Sequence, residues 1–102
     1  MELRRYHRAP LDCALEFVPK GGKQPLQGRA KDISLGGMFV ETDAPLAFGV
    51  ELVVHVTLPG QKSAFALPAV VRWSRVGEGM GVQFGLLGAR ETHAITELTK
   101  EP

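Results

Sequence analysis

Two stretches of this sequence carry side chains whose types and spacing suit chemistry. The first is Lys31-Asp32-Ile33-Ser34-Leu35-Gly36-Gly37-Met38. Asp32 and Ser34, two residues apart, put two side-chain oxygens on one side of an extended chain, and the Gly36-Gly37 pair lets the backbone turn back with its N–H groups free. The product is a small polar cradle. The second stretch is the basic run Arg4-Arg5-Tyr6-His7-Arg8, whose guanidinium forks match phosphate oxygens and paired acceptors. Taken singly, an Asp-x-Ser pair is also an ordinary Asx-type turn and a basic run is also a solvated tail.

Other chemistries are poorly supplied. His7, His55 and His93 fall in an arm, a strand and a helix with no ligand spacing between them, which argues against a metal site. The chain has no Gly-x-Ser-x-Gly elbow and no Walker loop, and Cys13 alternates with Leu11, Leu15 and Phe17 as a small buried thiol does. No enzyme and no cofactor are expected. A single cysteine fits a reducing compartment.

The bulk numbers set the frame. A chain of 102 residues is one small domain with one core. Twelve Lys and Arg against eleven Asp and Glu leave a net charge of +1, so binding nucleic acid by bulk electrostatics is not expected and any anion preference must be local. Five Phe, one Tyr and one Trp, most of them expected at inward strand positions, make a single-stranded nucleic-acid binder a poor fit. No apolar run approaches the roughly 18 residues that span a bilayer, and the segment Met1-Glu2-Leu3-Arg4-Arg5 lacks a signal-peptide core. These features predict a cytoplasmic protein without membrane insertion.

Alternation predicts the elements that position the two stretches. Residues 1–9 read as a flexible basic arm, and residues 10–100 as the folded domain. Leu11, Cys13, Leu15 and Phe17 against Asp12, Ala14 and Glu16 predict a half-buried strand. Residues 26–33 predict a second, with Gln27, Arg29 and Lys31 outward, and residues 38–42 a third. Val50, Leu52, Val54, Val56 and Leu58 mark the fourth strand, and residues 65–73 the fifth, where Pro68 points to an edge or a bulge. Met80, Val82 and Phe84 mark the sixth. Six short strands in so short a chain predict a barrel rather than a sandwich. Ala94, Ile95 and Leu98 share one helical stripe, predicting a C-terminal helix at about 88–100 that packs on the barrel.

Arg4-x-x-x-Arg8, followed after one predicted strand by Asp32-x-Ser34-x-x-Gly37, resembles the signature of the PilZ domain family. Val70-Val71-Arg72-Trp73 followed by Gly79-Met80-Gly81-Val82-Gln83-Phe84 is similar to that family's closing strand pair. The resemblance runs from about Arg4 to Leu98. It implies a six-stranded antiparallel β-barrel with one C-terminal helix, and a bacterial receptor for the second messenger cyclic di-GMP. It also implies that binding orders the N-terminal arm and relays the signal to an effector protein. The alternative within the family is a nucleotide-independent adaptor that acts only by protein–protein interaction.

The resemblance implies a ligand set of Arg4, Arg5, Arg8, Asp32, Ser34, Gly36, Gly37 and Trp73. Cyclic di-GMP presents two phosphates and two guanines. Guanine O6 and N7 are paired acceptors that a planar Arg fork meets with two parallel hydrogen bonds. The opposite edge, N1–H and N2–H, consists of donors and calls for a carboxylate such as Asp32. Ser34 adds a hydroxyl, Gly36 and Gly37 allow close backbone approach, and Arg5 suits a phosphate. Trp73 falls where the family often has an aromatic or bulky residue beside the ligand. Strict alternation sends Arg72 and Trp73 to opposite faces, so only one of them is expected to face the pocket.

Overall fold

Apolar residues at every second position give each strand one face that must leave water, and six such strands close on themselves. The computed structural model describes residues 7–100. It contains β1 (Ala9–Pro19), β2 (Leu26–Ile33), β3 (Gly37–Glu41), β4 (Glu51–Val56), β5 (Phe65–Arg75), β6 (Gly79–Phe84) and α1 (Ala89–Thr99). Every pairing is antiparallel, in the order β1-β2-β3-β6-β5-β4, and β4 returns to β1 to close the barrel.

The inward residues fill the interior. Phe17, Ala30, Ile33, Val40, Val54, Leu67, Val71 and Met80 are fully buried, each large aliphatic or aromatic side chain contributing about 1.5–3 kcal/mol. Cys13 and Leu11, near the start of β1, are only partly buried but pack against this core. α1 adds Ala94 and Ile95 to the core, with Leu98 partly buried beside them. The Arg90 guanidinium lies 5.7 Å from the Phe65 ring centroid and ties the helix to the start of β5. No helix among the described residues is long and apolar enough to cross a membrane.

Two expectations are corrected. Pro68 marks neither an edge nor a bulge: it pairs with Val53 inside the closed barrel. Its carbonyl accepts the Gly85 N–H at 2.8 Å, so its missing donor faces the same side, just past the end of β6, and costs only the reciprocal bond at that strand end. Nor are most aromatics inward among the described residues. Phe17, Phe65 and Phe84 are buried, whereas Phe48 and Trp73 are exposed and Phe39 is half-buried.

The ladder shifts register at three places: in β1 between Pro10 and Cys13, in β2 between Ala30 and Asp32, and in β5 between Val71 and Trp73. Each shift re-aims the side chains that follow it.

Candidate ligand-binding site

The re-aimed residues form a single cross-strand row on the outer surface. Pro10 pairs with Asp32, Asp32 with Phe39, Phe39 with Gly81, and Gly81 with Trp73. Lys31 is the surplus residue of β2 opposite β3. Were Lys31 paired in regular register, Asp32 would stand opposite Met38, which is buried in the core. Arg72 plays the same part in β5: were it paired in regular register, Trp73 would stand opposite Met80 and point inward. Two extra residues thus put a carboxylate and an indole on one outward row.

At one end of the row Arg8 meets Asp32 across 24 positions of sequence. Nη2 donates to Oδ1 at 3.0 Å and Nε to Oδ2 at 3.3 Å, a bidentate fork. Asp32 Oδ1 also accepts the Phe39 N–H at 3.0 Å, which fixes the carboxylate on its strand. Both side chains are about one-third exposed, and an ion pair in that setting contributes about 0–1 kcal/mol. The pair therefore positions groups without holding the fold, and its partners are cheaply exchanged for others.

The hairpin loop after Asp32 differs from the expected open cradle. The Gly36 N–H donates to Ser34 Oγ at 3.1 Å and the Gly37 N–H to the Ser34 carbonyl at 3.3 Å, so neither is free. Ser34 is fully buried, and its own N–H donates to the Gly37 carbonyl at 2.8 Å. The serine closes the loop on itself. Neither glycine has a positive φ; what Gly37 supplies is absence of bulk, because a Cβ there would collide with the Val82 carbonyl oxygen of β6. The Phe84 N–H donates to the Gly36 carbonyl at 2.9 Å and completes the seam.

At the other end of the row the Phe39 and Trp73 rings stack with centroids 5.4 Å apart and planes 12° off parallel. A Cβ on Gly81 would run into the indole, so the glycine is the floor on which Trp73 lies. The Arg75 guanidinium sits 5.8 Å from the Trp73 ring centroid, and Arg72 Nε donates to Gln83 Oε1 at 2.5 Å. Arg8, Asp32, Phe39, Arg72, Trp73 and Gly81 line a depression of about 260 Å³, with Met38 and Val82 beneath. Arg72 and Trp73 both border it, contrary to strict alternation, because Arg72 is the surplus residue of β5 opposite β6, between Val71 and Trp73. Phe39 and Gly81 are site residues that the sequence reading did not single out. The available signal was that both stand at outward positions between buried neighbours.

A second charged network lies elsewhere on β1 and β2. Asp12 Oδ1 accepts from Arg29 Nε at 2.7 Å and Lys31 Nζ at 3.4 Å. The hydrogen bond from Arg29, then its charge, holds the Asp12 carboxyl below its usual 3.8, and the same contact raises Arg29. A wider depression of about 680 Å³ beside this network is lined by Arg29 but also by Glu41, Asp43 and Glu78. Three carboxylates repel an anion, so the smaller depression is the better seat for a phosphate-bearing ligand. Among the described residues no group of three or more His, Cys, Asp or Glu is placed to hold a metal ion. Arg4 and Arg5 lie outside the described residues.

A closed six-stranded antiparallel barrel with one C-terminal helix is the architecture of PilZ domains. The profile of the PilZ domain matches residues 2–101, and the chain belongs to that family. Among solved structures it is similar to the PilZ domain of YcgR from Escherichia coli with c-di-GMP, at TM-score 0.75 and 18% identity over 96% of this chain and 89% of that one. The PilZ domain of CeSA from a cellulose-synthesizing bacterium matches at TM-score 0.68 and 24% identity over 91% and 94%. The Bacillus subtilis inhibitor of motility MotI/DgrA matches at TM-score 0.72 and 22% identity, over 95% of this chain and 49% of that one. At these identities the likeness is one of fold. No curated protein matches the sequence.

Proposed function

We propose that this chain is a non-enzymatic receptor for cyclic di-GMP, seating one guanine between the Arg8–Asp32 pair and the aromatic surface of Phe39 and Trp73. The observation that carries the reading is the juxtaposition of Arg8 and Asp32 at 3.0 Å beside that surface. One group is a fork for the O6 and N7 acceptors of guanine or for phosphate, the other an acceptor for N1–H and N2–H. Membership in the PilZ family and the fold shared with a c-di-GMP complex support the choice of ligand.

A depression of about 260 Å³ is smaller than the roughly 300–1,000 Å³ of most ligand pockets. It suits one base better than a whole cyclic dinucleotide. The remaining base and phosphates fall to the N-terminal segment, where Arg4 and Arg5 supply two more forks. Binding draws that segment against the barrel, and the surface so changed is what an effector protein reads. Ser34, Gly36 and Gly37 serve by building the loop that holds Asp32 in its row.

Calorimetric titration with cyclic di-GMP, with GTP and a short oligonucleotide as controls, tests the reading. Wild-type protein is expected to bind the cyclic dinucleotide alone, and Arg8→Ala and Asp32→Ala to lose binding while the thermal transition barely moves. Absence of wild-type binding, or full affinity in both variants, overturns it and leaves the adaptor role in its place.

A further inference from the structure

We propose that Phe39 is a positioning residue of this site: its ring sets the plane of Trp73 across Gly81, while its backbone N–H holds the carboxylate that reads the edge of the stacked base. The inference rests on the receptor reading above and adds the residues that fix the stacking plane.

A tryptophan on the outer face of a barrel, 43% exposed, would ordinarily sample several rotamers. Here three neighbours restrict it. Gly81 leaves a flat floor into which the indole fits and which any side chain would fill. Phe39 stacks against it, the two ring planes 12° from parallel. Arg75 approaches the ring at 5.8 Å. The indole is thus held in one plane before any ligand arrives, and a preformed plane spares the ordering cost of binding.

The second half of the argument is the Phe39 N–H, 3.0 Å from Asp32 Oδ1. A base lying on the aromatic surface must present its donor edge to Asp32, so the distance between plane and carboxylate has to be fixed. Both are anchored on the same residue. Phe39→Ala removes the ring and keeps the N–H, which separates the two contributions.

Trp73 is the only tryptophan in the chain, so near-ultraviolet circular dichroism and fluorescence report its setting without ambiguity. Base stacking on an aromatic is sensitive to such changes. Phe39→Ala is expected to weaken cyclic di-GMP binding about tenfold and to diminish the Trp73 near-ultraviolet band of the unliganded protein. Its far-ultraviolet spectrum should stay unchanged. Phe39→Tyr is expected to restore both, and Gly81→Ala, which lifts the indole from its floor, to lose at least as much affinity. If Phe39→Ala fails to fold, Phe39→Leu carries the same expectation. Wild-type binding with a Phe39→Ala affinity within twofold overturns this inference and leaves the receptor reading standing. Weakened binding with an unaltered Trp73 band also overturns it. A wild-type protein that does not bind the dinucleotide overturns the receptor reading, and this inference with it.

Discussion

Phe39 and Trp73 stack although their strands are not neighbours. β6 runs between β3 and β5, and strands lie about 4.8 Å apart, so two side chains separated by a third strand normally meet that strand's side chain first. At this row the intervening residue is Gly81, and the rings close to 5.4 Å over it. The same row contains Asp32, so an aromatic plane, a carboxylate and an Arg fork occupy one stripe of the barrel wall.

Arg8→Lys keeps the charge and loses the fork. A bidentate Arg-to-guanine contact contributes about 1–3 kcal/mol of discrimination, so calorimetry on this variant should show cyclic di-GMP binding about 5- to 150-fold weaker. The Arg8–Asp32 pair is surface-exposed and contributes less than about 1 kcal/mol to stability. Scanning calorimetry should therefore record a Tm within about 5 °C of wild type.

Gly37→Ala should be among the most destabilising small substitutions. The added methyl meets the Val82 carbonyl oxygen and lies 3.1 Å from Gln83 Cα, both backbone atoms of β6 that cannot swing aside. Overpacking of this kind costs about 1–3 kcal/mol, a Tm loss of about 4–8 °C for each kcal/mol in a domain of this size. Thermal unfolding followed by circular dichroism measures it.

Ser34→Ala separates a loop brace from a ligand contact. The buried hydroxyl accepts the Gly36 N–H, and leaving that donor without a partner costs about 1–3 kcal/mol. The expected outcome is a lowered denaturant midpoint with cyclic di-GMP affinity reduced much less than by Asp32→Ala. Urea titration and calorimetry on the same preparation give both numbers.

The Asp12 carboxyl should titrate below 3.8, because Arg29 first and Lys31 second favour its charged form. A carboxyl lowered on folding adds stability that is present above its usual pKa and lost as pH falls through the lowered value. At this exposed site the contribution is small. Side-chain NMR should show the lowered titration in wild type, and Arg29→Ala should return it toward 3.8.

How much of this was legible in the sequence depends on the period. Leu52, Val54 and Val56 alternate cleanly, and β4 lies where they predict it; Ala94 and Ile95 likewise place the face that α1 buries. The register shifts were not legible. A surplus residue such as Lys31 or Arg72 looks like any other polar strand position, and its effect appears only when a partner strand is laid beside it. For that reason alternation wrongly separated Arg72 from Trp73. Ser34 misled for a different reason: a serine in a turn motif reads the same whether its hydroxyl faces a ligand or its own loop, and burial decides between them.

Each of the six strands is flanked by two others, and this limits how the domain can meet anything else. A sheet with a free rim offers its backbone to any passing chain of suitable length, whatever that chain's side chains are. Here the rim is closed internally over most of its length, so strand addition and the fibrillar growth it seeds find little template among the described residues. Recognition has to be written in side chains, and can therefore be rewritten by point substitution without touching the scaffold.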